Sequence, residues 1–418
     1  MKDRPDATLL PIRTERIISL LEELSAFSDS TSSGITRVLF SSADIAARKW
    51  LKDRLQEAGL AFREDAVGNL FARWEGEEPE LPAIATGSHI DAVPLSGRFD
   101  GTVGVIGALE AFRALREGGF RPRRSLELVV FTAEEPTRFG ISCLGSRVLA
   151  GRLRQEELET LRDKEDQSFA QLRQKAGLVD IPFSSIFPPR YAAFLELHIE
   201  QGPILEREGK VIGAVEAIAA PAAYRVRWDG VSGHAGTVLM FQRRDALAGA
   251  AEGILVVERV AKELGSIDTV ATVGEITVSP GTLNSIAGSV TMGIDLRDID
   301  LERRHLLSQT IRGAFEEIAK RRGLKLSWQV IYEDPPALSD PGLVALVLES
   351  AHRLGFAARP MKSRAYHDSL FMAQLCPVVM IFIPCREGKS HCPEEYSSPQ
   401  QIEAGVRVLA DCLMRLAG

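Results

Sequence analysis

Short apolar runs alternate with segments of helical periodicity over the first half of the chain. This alternation is typical of βα units, which build a parallel or mixed sheet with helices on its faces. The segment 102–117 has helical spacing and ends before two glycines. The apolar runs are AIAT (83–86), LELVVFT (126–132) and FLEL (194–197), with VVMIFI (378–383) near the C-terminus. The sequence therefore predicts an α/β domain built on a mixed sheet.

A second pattern begins near residue 217. Strand-like runs and two amphipathic segments follow one another in the order βαββαβ, which favours an antiparallel, ferredoxin-like α+β domain. Patterns of the first kind resume after Pro336. We therefore predict one domain formed by residues 1–216 and 335–418, with a second domain, residues 217–334, inserted into it.

The composition of the chain limits the classes of molecule that it is expected to bind. The formal net charge is −7, and Lys and Arg form no long run, so neither nucleic acid nor a membrane surface is an expected partner. No stretch approaches the about 20 apolar residues of a membrane span, and the first residues lack the apolar core of a signal peptide. The five cysteines include no CxxC pair, which predicts reduced thiols and a cytoplasmic location.

Clusters of polar residues follow the apolar runs of the first domain. Ligands of open α/β sheets bind beyond the carboxyl ends of the strands, so we expect the clusters to meet there. Imidazole and carboxylate are ligands of zinc and manganese, and paired metal ions usually share a carboxylate. The clusters are His89/Asp91/Asp100, Glu134/Glu135, Glu196/His198/Glu200/Gln201, and Ser390/His391 with Glu394/Glu395. The sequence therefore predicts a metal site at this edge of the sheet.

Each of these residues, taken singly, could be a hydrogen-bonded loop histidine or a solvated acid. Glu134 and Glu135, however, directly follow a buried strand, where two like charges are costly unless a cation stabilises one of them. The sequence has no GxSxG nucleophile elbow, P-loop or GxGxxG fingerprint. A Cys392 nucleophile beside His391 is an alternative, but neighbours in sequence do not make a productive catalytic pair.

Several motifs resemble the dinuclear-metal amidohydrolases related to aminoacylases and carboxypeptidases. The branch concerned holds N-carbamoyl-L-amino-acid hydrolases, β-ureidopropionase, allantoate amidohydrolase and ureidoglycolate amidohydrolase. The motifs are GSHIDAVPLSGRFDGTVGV, FTAEEPTRFGISCLGSRVLAG, FLELHIEQGPILE, GHAGTVLM, GTLNSIAG, IDLRDID, SRAYHDSLFMA and MIFIPCREGKSHCPEEYSSP. SRAYHDSLFMA is most similar to ureidoglycolate amidohydrolases, because the other members more often have a smaller GAGHDA version.

The resemblance implies a dinuclear metal centre in the first domain, with Mn²⁺ favoured and Zn²⁺ as the alternative. Asp91 would orient one of the histidine ligands and fix its tautomer. Glu134 would act as the general base toward the attacking water. The implied ligands are His89 and His198 for one ion, Glu135 and His391 for the other, and Asp100 as the bridge.

The resemblance also implies that the inserted domain is a lid and a dimerisation domain. His234 and Asn284, from the partner subunit of a homodimer, would stabilise the oxyanion, and Arg297 would bind a substrate carboxylate. The other implied substrate contacts are Gln201, Tyr366 and His367. Three alternatives stay open: Arg297 could form a salt bridge within its strand, Asn284 could be a turn residue, and Tyr366 could serve packing alone.

The implied reaction is hydrolysis of the ureido C–N bond of a small anionic carboxylate. The favoured substrate is (S)-ureidoglycolate, which would yield glyoxylate, ammonia and carbon dioxide in purine (allantoin) catabolism. The alternatives within the branch are allantoate amidohydrolase and N-carbamoyl-L-amino-acid hydrolase. An aminopeptidase is less expected, because Arg297, Asn284 and Gln201 suit a small ureide better than an extended peptide. A non-catalytic binding protein of the same fold is the alternative from another class.

Overall fold

The computed structural model describes residues 6–186 and 188–418. Its helices are α1 (Thr14–Ser25), α2 (Ser42–Glu57), α3 (Thr102–Glu117), α4 (Leu144–Leu149), α5 (Gln155–Thr160), α6 (Phe169–Lys175), α7 (Ile204–Arg207), α8 (Ala246–Leu264), α9 (Leu301–Arg322), α10 (Pro341–Arg353), α11 (Ser369–Met372) and α12 (Pro399–Ala417). Its first strands are β1 (Ile35–Arg37), β2 (Ala61–Glu64), β3 (Leu70–Trp74), β4 (Ala83–His89), β5 (Ala92–Ser96), β6 (Leu126–Phe131), β7 (Tyr191–Ile199) and β8 (Ile212–Ile218). The remaining strands are β9 (Ala220–Asp229), β10 (Gly233–His234), β11 (Val270–Ser279), β12 (Ser285–Ile286), β13 (Ser289–Asp298), β14 (Lys325–Glu333), β15 (Ala337–Leu338), β16 (Ala358–Ser363) and β17 (Val378–Ile383).

The chain divides into two units. The first contains the described residues up to Glu216, together with Leu338–Ser363 and His367–Gly418. The second contains Ala217–Ala337 and Arg364–Tyr366. It therefore starts at residue 217, like the predicted insertion, and also takes in residues 335–337 and three residues of a later loop. Among the described helices, none is both long enough and apolar enough to cross a membrane.

A mixed sheet forms the centre of the first unit. Its strand order is β15-β8-β17-β7-β4-β6-β3-β2, and β16 pairs with β8 outside this order. The neighbours β17, β7, β4 and β6 are parallel, whereas β8 and β3 pair antiparallel at either side of them. The register sets His89 beside Phe131 and His198 beside Phe382, so the carboxyl ends of the four parallel strands lie along one edge. The predicted mixed α/β fold is confirmed.

Helices α3 and α12 pack against this sheet and against each other. Strands β6 and β17 are buried along their whole length, as expected for strands covered on both faces. Gly104 lets α3 approach β7 closely, because a Cβ at this position would lie 2.4 Å from the carbonyl oxygen of Leu197. The side chains of Phe131, Phe194 and Met372 belong to a further cluster of buried hydrophobic residues. This close packing fixes the strand ends on which the polar clusters stand.

The second unit contains a four-stranded antiparallel sheet in the order β11-β13-β9-β14. Along the chain its main elements follow as β9, α8, β11, β13, α9 and β14, the predicted βαββαβ order. Strand β13 alternates between buried and half-buried residues, so one of its faces turns toward the core. In that core the rings of Trp228 and Phe315 lie 5.1 Å apart, and α8 and α9 pack against each other.

Candidate metal centre

The predicted ligands of the first unit converge at the carboxyl edge of its parallel strands. His89 is the last residue of β4, and His198 is the penultimate residue of β7. Glu135 follows the end of β6 by four residues, and His391 lies in the loop after β17. The sheet order brings these positions together although they span three hundred residues of sequence.

His89, Asp100 and His198 form the first group of potential ligands, with one ligand atom of each within 4.8 Å of the others. Asp100 Oδ1 lies 3.6 Å from His89 Nε2 and 3.2 Å from His198 Nε2. The Nδ1 atom of His198 lies 2.9 Å from the carbonyl oxygen of Ile199, and that of His89 lies 3.1 Å from the carbonyl oxygen of Asp91. Because Nδ1–H then donates to the backbone, Nε2 of each ring is the atom that a metal ion would contact, although in His198 this atom also accepts the backbone N–H of Gly101 at 3.1 Å.

Asp100, Glu135 and His391 form the second group. The Nε2 atom of His391 lies 3.3 Å from Asp100 Oδ2 and 3.2 Å from Glu135 Oε1. Asp100 therefore presents one carboxylate oxygen to each group, which is the arrangement that a bridging ligand requires. The combined set of imidazoles and carboxylates fits Zn²⁺ or Mn²⁺.

A third group consists of Glu196, His198 and His367. Glu196 accepts hydrogen bonds from the hydroxyl groups of Ser88 at 2.8 Å and Ser369 at 2.6 Å. The His367 ring is buried and lies edge-on to the His198 ring, with the centroids 4.7 Å apart. The carboxylate of Glu196 is thus already held by serines, and we interpret this group as support behind His198.

Asp91 connects His89 with the loop that carries the two adjacent glutamates. Its Oδ1 lies 3.5 Å from His89 Nδ1 and accepts the backbone N–H of Glu134 at 3.2 Å. Its Oδ2 accepts the backbone N–H of Glu135 at 3.0 Å. Asp91 therefore holds a potential ligand through its backbone carbonyl, with its carboxylate close by, and holds the loop after β6 through that buried carboxylate.

Glu134 lies beside the first group, with Oε2 3.8 Å from His89 Nε2. Burial raises the pKa of its carboxyl well above the usual value, and the negative charges of Glu135, Asp368 and Asp100 add to this rise against the opposing effect of His89. The thiol of Cys143 also donates to Glu134 Oε1 at 3.5 Å. A buried carboxyl with a raised pKa is suited to accept and release a proton.

The histidines around Asp100 favour the charged form of its carboxylate. Burial disfavours its charged form, but hydrogen bonds from His198, His391 and His89 outweigh burial and hold its pKa well below the usual value. Hydrogen bonds to Asp100 and then to Glu135 raise the pKa of His391 to about 11. Protons on these histidines therefore balance the carboxylates in the metal-free chain, and a divalent cation would take over that role.

The surroundings of Asp100 include two residues to which the sequence analysis gave a different role or none. Gln201 Nε2 donates to Asp100 Oδ2 at 2.6 Å, although Gln201 was predicted to contact substrate. Ser390 Oγ donates to the same oxygen at 2.7 Å. Gly101 completes these surroundings, since a Cβ there would lie 2.3 Å from His89 Nε2. Ser390 and Gln201 belong to the polar clusters of the sequence, which is the signal that marks them.

Asp368 is a further buried acid near the centre, directly after the predicted substrate contact His367. Its Oδ1 accepts from Ser146 Oγ at 2.5 Å, and its Oδ2 has no hydrogen-bond partner among the described residues. Burial, followed by the charge of Glu196, raises the pKa of Asp368 well above the usual value. Its position directly after His367 is the only signal in the sequence.

The remaining predicted residues belong to the second unit. His234 ends β10, where it pairs with Ser285 of β12, and Asn284 lies in the turn before β12. Both are exposed, and the N–H of Ala235 donates to the carbonyl of Asn284 at 2.9 Å. Arg297 forms two hydrogen bonds with Asp295, at 2.8 Å and 3.1 Å, and a third with the carbonyl of Arg364. The hydroxyl of Tyr366 donates to Asp334.

Comparison with known proteins identifies the family. The model for peptidase family M20/M25/M40 matches residues 85–415. Ureidoglycolate hydrolase of Arabidopsis thaliana is 51% identical over 98% of this chain and 88% of its own length. N-carbamoyl-L-amino-acid amidohydrolase of Paenarthrobacter aurescens is 40% identical over 96% of this chain and 98% of its own. Crystal structures of AtUAH in complex with (S)-hydroxyglycine and with glyoxylate each match with a TM-score of 0.89 and 50% identity, over 98% of this chain and 99% of theirs. These matches confirm the resemblance seen in the motifs, and the chain belongs to peptidase family M20/M25/M40.

Proposed function

We propose that this chain hydrolyses the ureido C–N bond of (S)-ureidoglycolate in purine catabolism. Ureidoglycolate hydrolase of Arabidopsis thaliana supports this substrate through its 51% identity. The AtUAH ligands also support it, because (S)-hydroxyglycine is ureidoglycolate without its carbamoyl group, and glyoxylate remains when hydroxyglycine loses ammonia. Addition of one water to ureidoglycolate balances as glyoxylate, two molecules of ammonia and carbon dioxide.

The observation that carries this proposal is the shared carboxylate of Asp100 between two groups of ligands. We propose that His89 and His198 hold one divalent ion, that Glu135 and His391 hold a second, and that Asp100 contacts both. Mn²⁺ is favoured and Zn²⁺ is the alternative. When bound, such ions supply Lewis acidity that polarises a carbonyl and lowers the pKa of an attacking water.

Glu134 is the proposed general base of the reaction. Its buried carboxyl has a raised pKa, and its backbone is fixed through Asp91, so it is poised to take a proton from the attacking water. The same carboxyl would then deliver that proton to the leaving nitrogen. Asp91 serves this step by keeping His89 and the loop of Glu134 in place.

We propose that the second unit supplies the substrate contacts and the dimer interface. His234, on β10, and Asn284, in the turn before β12, are both exposed, as residues that complete the site of a partner subunit must be. Arg297 would bind the substrate carboxylate, with Asp295 holding its guanidinium. Gln201, Tyr366 and His367 are proposed as further substrate contacts. Light scattering should give the mass of a dimer, and a monomer with full activity would contradict the shared site.

A panel of substrates tests the proposed reaction. Ureidoglycolate, allantoate and N-carbamoyl amino acids are assayed in parallel with chelated and metal-reloaded protein. The highest kcat/KM is expected for (S)-ureidoglycolate, with activity lost on chelation and regained with Mn²⁺. A higher value for N-carbamoyl amino acids, the substrates named for the Paenarthrobacter relative, would reassign the substrate within the family. Protein that binds no metal and hydrolyses none of these compounds would indicate a binding protein.

A further inference from the structure

A buried glutamate, Glu395, lies behind the shared carboxylate and joins two loops. Its Oε1 accepts the backbone N–H of Phe99 at 2.8 Å and that of Asp100 at 3.1 Å. Its Oε2 lies 2.9 Å from the hydroxyl oxygen of Ser390. One side chain, only 4% exposed, therefore connects the loop that carries Asp100 with the loop that carries Ser390 and His391.

Ser390 extends this connection to the carboxylate of Asp100. Its Oγ lies 2.7 Å from Asp100 Oδ2, the oxygen that faces His391. A serine hydroxyl has one hydrogen to donate, and two lone pairs through which it can accept. The Ser390 hydroxyl lies between the two carboxylates and can donate its hydrogen to one of them at a time. Glu395 thus reaches Asp100 through the backbone N–H of that residue and, by way of this shared hydroxyl, through its carboxylate.

The packing around Glu395 leaves its carboxyl group little freedom. A Cβ at Gly97 would lie 2.3 Å from Glu395 Cβ and 2.4 Å from its Cδ. The backbone of residue 97 therefore lies directly against the glutamate, and only glycine fits there without a shift. Glu394, the preceding acid, is exposed. The two adjacent acids consequently have different surroundings, and only Glu395 is directed at the centre.

We propose that Glu395 is a positioning residue for the bridging carboxylate of Asp100. It fixes the backbone of Asp100 and, through Ser390, one carboxylate oxygen, so that Oδ1 faces His89 and His198 while Oδ2 faces His391. Without its carboxyl group, two backbone N–H groups lose their acceptor, and the loop that carries Asp100 is held less firmly. This inference rests on the proposed function, because it assumes that Asp100 contacts two metal ions.

Three variants test the role of Glu395. Glu395→Leu removes the acceptor while keeping much of the side-chain volume. Glu395→Gln keeps an oxygen for the two N–H groups and an N–H group for Ser390. Glu394→Leu is the matched control at the exposed neighbour. Metal stoichiometry and affinity are measured by titration with Mn²⁺ against a competing chelator, with circular dichroism and thermal unfolding of the metal-free proteins recorded alongside.

Glu395→Leu is expected to weaken metal binding about 10-fold to 100-fold, which is the range found for residues that orient metal ligands. It should also lower kcat more than it changes KM. Glu395→Gln should restore most of the affinity, and Glu394→Leu should bind like the unsubstituted chain. Unchanged affinity in Glu395→Leu, or an equal loss in Glu395→Gln, would overturn the positioning role. If Glu395→Leu does not fold, Ser390→Ala tests the same link, and wild-type affinity in that variant would overturn the proposal.

The same titration separates this inference from the function on which it rests. If the unsubstituted chain binds no divalent ion, the proposed metal centre fails, and the role of Glu395 fails with it. If that chain binds two ions and Glu395→Leu binds them equally well, only the role of Glu395 is wrong.

Discussion

The backbone N–H of Glu134 donates to Asp91 Oδ1 at 3.2 Å, so the residue that orients a potential metal ligand also holds the proposed base. Asp91→Asn replaces one acceptor oxygen by an amino group that faces N–H donors. We expect kcat to fall about 10-fold to 100-fold while most of the metal stays bound. Kinetics together with metal analysis of the purified variant check this. Loss of both ions in Asp91→Asn would show that Asp91 is needed for binding itself.

Asp100→Asn, unlike Asp91→Asn, is expected to reduce metal binding itself. The amide keeps the shape of the side chain but removes the charge and one of the two oxygens that face the ligand groups. Metal content should fall below two ions per chain, with activity falling in parallel. Elemental analysis after dialysis measures the content. A variant that retains both ions would contradict the bridging role.

Glu134→Gln tests the proposed base. The amide is nearly isosteric with the carboxyl but cannot take up a proton, so kcat should fall about 100-fold to 10,000-fold. Metal content should stay at the wild-type level, because Glu134 belongs to none of the three ligand groups. Rapid-quench or steady-state assays with (S)-ureidoglycolate measure the loss. Near-native turnover would rule out Glu134 as the base.

Metal binding should release protons at neutral pH. Hydrogen bonds to Asp100 and Glu135 raise the pKa of His391 from the ordinary 6.5 to about 11 in the metal-free chain, whereas a ligand imidazole must be neutral. The ion pairs of protonated His391 stabilise the metal-free fold fully below pH 6.5, and this contribution is lost as pH rises through about 11. Higher pH therefore favours binding of a metal ion by His391 over protonation of its ring.

Calorimetry of Mn²⁺ binding in two buffers of different ionisation enthalpy measures this release. The apparent binding enthalpy at one pH should differ between the buffers in proportion to the protons released. Equal enthalpies would show that His391 is already neutral before the metal binds.

Arg297→Ala separates the two roles open to this arginine. If Arg297 binds the substrate carboxylate, KM for ureidoglycolate should rise roughly 10-fold to 100-fold, as expected for a lost charged hydrogen bond. If it serves only its salt bridge with Asp295, the free energy of unfolding should fall while KM stays unchanged. Asp295→Asn is the control, since it removes the ion pair while its amide oxygen and the carbonyl of Arg364 can still accept from the guanidinium.

The positions of the ligands could be predicted from sequence because strand ends are easy to recognise. The apolar run 378–383 corresponds to β17, and runs 83–86 and 194–197 lie within β4 and β7. A parallel sheet then places the residues after these runs at one edge. The short strands β1 and β5 were not predicted, because three to five residues carry too little periodicity.

The direction of individual side chains could not be predicted in the same way. The amide nitrogen of Gln201, a predicted substrate contact, hydrogen-bonds Asp100, and no spacing rule predicts this partner. Glu394 and Glu395 are chemically identical neighbours, yet Glu395 is buried against Gly97 whereas Glu394 is exposed. Hydrogen-bond partners of this kind depend on loop conformation, which side-chain periodicity does not determine.

Gly101 contributes no functional group, yet a Cβ at this position would lie 2.3 Å from Nε2 of His89, which is too close for both atoms. The centre is therefore as sensitive to volume at this position as to chemistry at its neighbours. Substitution of a ligand residue removes one ligand atom and leaves the others in place. Any substitution at Gly101 keeps every ligand atom but displaces one of them. The free space around the ligands, and not only their identity, is thus part of what the sequence must specify.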